Sequence, residues 1–465
     1  MNGPHDRRAS PVTLHHSLRP LLHANAMPVR THHMPGSHPT IHMMRTASRA
    51  IGLMSVIPLL LAAQPPPPAV LPSAAMPRAA AGFSDARLAR IDSLVTRLIA
   101  DKRIPGAVVI LVQDGAVAYH KAFGYRNLDT KVPLQRDDIF RIASQTKAIT
   151  SLAAMMLWEE GKFALDDPVS QYIPEFDKQR VLTTFNPTDS SYQSKPAQRR
   201  TTIRQLFTHT SGLDYADIGS EEFRAIYAKA GLTSLGREGD VLADKVRVLG
   251  QLPLHYEPGE RFTYSLSVDV LGRLVEVWSG MPLNEYFRTR IFEPLRMRDT
   301  WFELPTDRRS RLVTLHNETD GVLAPMRASQ SGMQPDYPAR RMTFFAGGGG
   351  LSGTIADYAR FLQLFLNGGE LDGVRLLGRK TVELMLVNHI PRLQPAFGLG
   401  FGLETSENDY RTVLSSGSFE WGGAFATTYW ADPRERLAAM IYTNVLGSTA
   451  DLGSQFKVLV YSALR

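Results

Sequence analysis

Ser144-Gln-Thr-Lys-Ala-Ile-Thr-Ser-Leu-Ala-Ala-Met-Met-Leu-Trp-Glu-Glu-Gly161 is the stretch on which the fold turns. Ile149, Leu152, Ala153, Met156 and Leu157 leave it hydrophobic nearly all round, which predicts a helix buried in the middle of the protein. Gly161 suits the position just past the helix C-terminus. The first turn is therefore an interior site, and it opens on the pattern Ser-x-x-Lys. Residues three apart share a helix face, so Ser144 Oγ can lie near Lys147 Nζ. Removal from water weakens a lysine's hold on its proton, and an amine freed in this way can serve as base toward a serine. The helix N-terminus adds positive potential where an alkoxide would develop.

On the N-terminal side, Ser84 is a plausible N-cap for an amphipathic helix carrying Leu88, Ile91, Leu94, Val95 and Leu98. Ala107 to Val112 and Val117 to Phe123 follow as β-rich runs joined at Asp114-Gly115, a strong hairpin signal. On the C-terminal side, residues 165 to 345 are irregular, loop-rich and helical, with one helix from about Val268 to Trp278. Strands return at Phe397 to Leu403, Thr427 to Asp432 and Leu437 to Asn444, with a tight turn at Asp432-Pro433, and a helix from about Ser448 to Leu464 closes the chain. This order predicts an α/β (α+β) fold, an antiparallel sheet flanked by helices and built from both chain ends, with a mostly helical lobe inserted. The expected division is a leader with a Pro-rich linker over 1–80, an α/β domain from 81–165 and 346–465, and the inserted helical domain over 166–345.

Forty-three per cent hydrophobic and 21 per cent charged residues is an ordinary globular composition. The net charge of +7 is concentrated in residues 1 to 63, which hold six arginines against Asp6 alone. The near-neutral body that remains argues against a nucleic-acid partner. Eight of the 13 histidines also lie in this leader, at spacings that fit no metal-ligand pattern. Absence of cysteine excludes disulfides and thiol nucleophiles. Arg45 and Arg49 precede the apolar run Ala50 to Ala63, which has the length of a signal-peptide core and is short for a membrane span. A cleaved signal at about 43–63 implies a periplasmic or secreted protein, soluble once mature and without stable membrane insertion. Oligomeric state is left open.

Ser-x-x-Lys is a weak pattern alone, and Ser454-Gln-Phe-Lys457 repeats it inside the terminal helix, where no partner motif accompanies it. Around Ser144 the text is richer. Phe140-Arg-Ile-Ala-Ser-Gln-Thr-Lys147, Leu165-Asp-Asp-Pro-Val169, Leu206-Phe-Thr-His-Thr-Ser-Gly-Leu213, Pro258-Gly-Glu-Arg-Phe-Thr-Tyr-Ser265, Gly348-Gly-Gly-Leu-Ser-Gly-Thr354 and Trp421-Gly-Gly423 occur in order. Together they resemble the class C β-lactamase-like serine hydrolases, a superfamily of β-lactamases, DD-peptidases, D-aminopeptidases, acyltransferases and family VIII carboxylesterases. The resemblance spans about residues 85 to 465. It implies that Ser144 is the acyl-enzyme nucleophile, Lys147 its activating partner and Tyr264 the tyrosine that shuttles a proton between nucleophile and leaving group. It further implies that Trp421, Gly422 and Gly423 line the substrate, with the N–H groups of Ser144 and Ala424 as an oxyanion hole. No cofactor or metal is implied.

Two departures narrow the substrate. β-Lactamases and peptidases of the superfamily usually have asparagine where Leu266 stands and a basic residue where Trp421 stands, so polar handles for an acylamide and a carboxylate are missing. Tyr-Ser-Leu with Trp-Gly-Gly is similar to family VIII carboxylesterases, whose natural substrates would be small neutral esters with short acyl groups. The alternatives are a β-lactamase or D-amino-acid peptidase, an acyltransferase, and a cell-wall sensor that acylates without turnover. Gly347 to Gly350 lacks the Lys-Ser/Thr of a phosphate loop and reads as a close-packed turn near the site. His209 reads as structural. No Gly-x-Ser-x-Gly elbow or His-Glu-x-x-His pattern occurs.

Overall fold

A computed structural model describes residues 82–327 and 334–465. The leader, with its histidines, apolar run and proline-rich stretch, lies outside the described residues. Helix α1 (Asp85–Ala100) buries the five apolar residues of its predicted stripe. Strands β1 (Gly106–Gln113) and β2 (Ala116–Gly124) form the predicted hairpin, with Asp114 and Gly115 at φ 52° and 73°, the left-handed pair that a two-residue turn of this kind demands. Helix α2 (Thr146–Glu159) is buried over its first twelve residues and stops at Gly161, φ 73°. Ser144 is not in its first turn, as expected from the sequence, but on a 3-10 turn, Ala143–Gln145, that leads into it.

The intervening chain contributes α3 (Ser267–Ser279), which packs along α2, and several shorter helices and hairpins. Helix α4 (Ile355–Leu366) follows, started by the Thr354 hydroxyl accepting from the Asp357 N–H. The remaining strands are β3 (Gly402–Leu403), β4 (Phe419–Gly423), β5 (Thr427–Asp432) and β6 (Leu437–Tyr442), and α5 (Leu452–Ala463) ends the chain. The expected strand Phe397 to Leu403 shrinks to β3. Gly400 at φ 100° breaks the extended run there, and only Gly402 and Leu403 pair with β4.

The six strands lie in the order β3-β4-β5-β6-β1-β2, every neighbour antiparallel, with the two chain ends meeting where Val108 stands opposite Tyr442. Strand side chains alternate faces. Val108, Ile110 and Val112 therefore join a core with α2, α3 and α4, while Val109 and Leu111 join a second core with α1 and α5. Each such side chain, fully buried, contributes roughly 1.5–3 kcal/mol of transfer free energy. The result is a sheet with helices on both faces, and α2 lies on the face that carries the nucleophile. Strand β3 covers only the Phe419 and Glu420 end of β4, so among the described residues Trp421, Gly422 and Gly423 run past it without a strand partner on that side.

Candidate active site

The nucleophile turn is held in an uncommon backbone conformation. Ala143, immediately before Ser144, has φ 45°, and Gln145 after it is fully buried, its carbonyl accepting from Tyr358 OH at 3.0 Å and its side-chain Oε1 from Tyr442 OH. Such strain persists only where the surroundings over-determine it. Here α4 and β6 grip the turn through Gln145 and leave Ser144 half-buried.

Three side chains converge on that oxygen's surroundings. Tyr264 OH lies 2.6 Å from Ser144 Oγ, and Lys147 Nζ lies 3.4 Å from it. Lys147 is buried and has two further partners, the Gly348 carbonyl at 2.6 Å and Tyr215 OH at 3.2 Å. Its Nζ also lies over the Tyr264 ring, 4.5 Å from the centroid. With two hydrogen-bond directions of the amine fixed by Gly348 and Tyr215, the remaining tetrahedral direction is free for Ser144.

Tyr215 was not singled out from the sequence, although it stands two residues past the Ser-Gly-Leu213 block. Its ring stacks on Tyr264 at 5.3 Å, and burial together with that neighbouring phenol pushes its hydroxyl well above the usual tyrosine range. It stays a neutral oxygen beside the amine. His209 lies buried behind Tyr264. Burial, then the Lys147 ammonium, hold it well below the usual histidine range, so it is neutral. Its Nδ1 accepts from the Ser265 N–H at 3.2 Å, and its carbonyl accepts from the Thr263 N–H at 2.8 Å, which clamps both residues flanking Tyr264.

The far wall is aromatic. Trp421 lies 5.6 Å from Tyr264 and 5.2 Å from Phe397, and Phe397 lies 5.2 Å from Phe262. Gly423 is pressed against the nucleophile turn so closely that a Cβ there would lie 2.4 Å from the Ile142 carbonyl oxygen. Ala424 follows at an exposed turn. Leu266 is buried as the residue preceding α3, contributing no polar group. The Gly347–Gly350 turn packs beside α2, where the Gly347 carbonyl accepts from Thr150 Oγ1 at 2.7 Å. Among the described residues no histidine, aspartate and glutamate cluster is placed to hold a metal, and no helix is long and apolar enough to cross a membrane.

A hydroxyl held between a buried amine and a phenol, at the start of a buried helix, is equipped for nucleophilic attack with proton transfer on either side. The family model described as Beta-lactamase matches residues 91–460. The chain belongs to the Beta-lactamase family. Its relatives include Esterase EstB of Burkholderia gladioli, 29% identical over 77% of this chain and 90% of that protein, and Lovastatin esterase of Penicillium rubens, 31% identical over 75% and 91%. Among solved structures, EstCE1, a hydrolase with promiscuous acyltransferase activity, superposes with a TM-score of 0.70 at 26% identity, covering 81% of this chain and 98% of that one. The protein is a serine hydrolase of this superfamily.

Proposed function

We propose that the protein is a carboxylesterase that hydrolyses short-chain neutral esters through an acyl-enzyme on Ser144. The observation that carries this reading is Ser144 Oγ in reach of both Tyr264 OH and Lys147 Nζ, beside an aromatic wall of Trp421, Phe397 and Phe262. The esterase names of two relatives support the bond class. Trp421 and Leu266, standing where carboxylate and acylamide handles would be needed, support a neutral substrate.

In the first half-reaction Ser144 Oγ forms a bond to the ester carbonyl carbon as its proton passes to Lys147 in its neutral amine form or to Tyr264 in its phenolate form, whichever of the pair has given up its proton. The N–H groups of Ser144 and Ala424 receive the developing oxyanion. The C–O bond to the alcohol breaks, and Tyr264 returns a proton to the departing alkoxide. Water then attacks the acyl carbon, giving up a proton to the same pair, and the carboxylic acid leaves as Ser144 regains its hydrogen. Ester and water become acid and alcohol. The similarity to EstCE1 supports a second reading, in which an alcohol replaces water in the second half.

A panel of p-nitrophenyl acetate, butyrate and longer esters, run beside the chromogenic cephalosporin nitrocefin, tests the substrate class. The expected kcat/KM for the acetyl or butyryl ester exceeds that for nitrocefin by at least about 100-fold. Comparable turnover of nitrocefin would overturn the ester reading.

A further inference from the structure

The Gly348 carbonyl that holds Lys147 is itself held by a carboxylate. Gly348 N–H donates to Asp269 Oδ1 at 3.0 Å, while its C=O accepts from Lys147 Nζ at 2.6 Å, so a single glycine peptide unit links acid and amine. Asp269 stands in the first turn of α3, five residues after Tyr264, and is buried. Its second oxygen, Oδ2, is buried with no hydrogen-bond partner among the described residues. A Cβ at residue 348 would lie 2.4 Å from that oxygen, so the loop approaches Asp269 this closely only because the residue is glycine. A buried carboxylate with an unsatisfied oxygen is costly, and its place in the first turn of α3, where the helix dipole favours an anion, offsets only part of that cost. A further partner lies across the Gly348 peptide. An anion accepting from a peptide N–H polarises that unit and strengthens its carbonyl as an acceptor.

We propose that Asp269 is a positioning residue for Lys147. It fixes the Gly348 peptide so that the carbonyl directs Nζ at Ser144, and it supplies a buried negative charge opposite the amine. This rests on the acyl-enzyme reading above. Lys147 from α2, Tyr215 and Asp217 from the loop after Leu213, and Tyr264 from the segment before α3 are the titratable groups facing this corner; His209 behind Tyr264 is neutral. Burial pushes the Asp269 carboxyl up to about 6, with the Lys147 ammonium and the Gly348 N–H pulling against that rise. Below that pH the charge opposite Lys147 disappears while an oxygen remains for the Gly348 N–H.

The experiment is the pH dependence of Ser144 acylation by a fluorophosphonate, together with kcat and KM on a short p-nitrophenyl ester, for the unaltered enzyme, Asp269→Asn and Gly348→Ala. The unaltered enzyme is expected to lose acylation rate through an inflection near pH 6. Asp269→Asn keeps the acceptor but not the charge, so kcat falls at least about tenfold with KM held within about twofold, and the inflection vanishes. Gly348→Ala, which pushes the peptide off Asp269, lowers kcat similarly. An Asp269→Asn enzyme with unaltered kcat and an intact inflection overturns the proposal. If that variant does not fold, absence of the inflection in the unaltered enzyme overturns it equally. Mass spectrometry keeps the two readings apart, since failure of the unaltered enzyme to be labelled at Ser144 removes the acyl-enzyme itself, whereas labelling that is indifferent to residue 269 removes only the role of Asp269.

Discussion

Ser144-Gln-Thr-Lys147 and Ser454-Gln-Phe-Lys457 are the same four-residue pattern in one chain, and their surroundings share almost nothing. At the first, the serine sits on a 3-10 turn behind a left-handed Ala143, and the lysine is buried with neutral oxygens as its direct partners. At the second, the pattern runs along a regular helix, Ser454 is exposed, and Lys457 reaches the Glu420 carboxylate on β4 and lies over the Trp430 ring. Side-chain spacing is alike in both. What differs is whether a second loop brings a phenol to the hydroxyl, and whether the amine meets neutral oxygens or an acid. A Ser-x-x-Lys becomes a candidate nucleophile through its neighbours.

The comparison breaks most visibly at the serines. Ser144→Ala is expected to lower kcat/KM on short esters by at least about 10³-fold with the fold retained, while Ser454→Ala stays within about twofold. Equal effects, measured on purified variants with matched circular dichroism, would dissolve the distinction. The lysines separate on a different observable. Lys457 lies near Glu404 and Glu420, and Lys457→Met leaves those acids less neutralised, costing about 1 kcal/mol of stability with kcat little changed. Chemical denaturation beside steady-state kinetics reads both, and a large loss of kcat with unchanged stability would contradict the assignment.

The smallest expected effect sharpens the electrostatic role of that corner. Burial first, then Glu420 and Asp409, push the Glu404 carboxyl up to about 7, while Lys457 pulls it down. The folded state therefore holds this proton more tightly than the unfolded chain, whose glutamate titrates near 4.5. Its stabilising contribution is complete below the unfolded value and is lost as pH rises through about 7. Glu404→Gln should reduce the fall in Tm between about pH 5 and pH 8 by a few degrees. An undiminished fall in thermal melts would assign it elsewhere.

Where local chemistry decides, the sequence was readable. Asp114-Gly115 fixes its hairpin turn, Gly161 ends α2, and Thr427 to Asp432 is a strand with the bounds expected. That Ser144, Lys147 and Tyr264 come together was legible because each sits in a dense motif. Helix α4 was not legible despite its Thr354 cap, because it is buried almost all round and follows directly on the Gly347–Gly350 turn. Tyr215 could not be read at all. Its approach to Lys147 depends on Asp214, whose carboxylate accepts from the Tyr215 N–H at 2.7 Å and pairs with His255 Nδ1 at 2.9 Å, forty-one residues away. The same holds for Asp269, whose significance arises only when the Gly347–Gly350 turn folds back on α3.

The meeting of the two chain ends has a consequence for biosynthesis. The Gln145 side chain accepts from Tyr442, the Arg141 N–H donates to Asn444 across 303 residues of sequence, and β1 has no inner neighbour until β6 exists. Contacts of such long span are slow to form. A nascent chain that has emerged only through the segment before α3 carries Ser144, Lys147 and Tyr264 but lacks the strand whose Tyr442 holds Gln145. The grip on the nucleophile turn thus forms only once this chain has closed on itself.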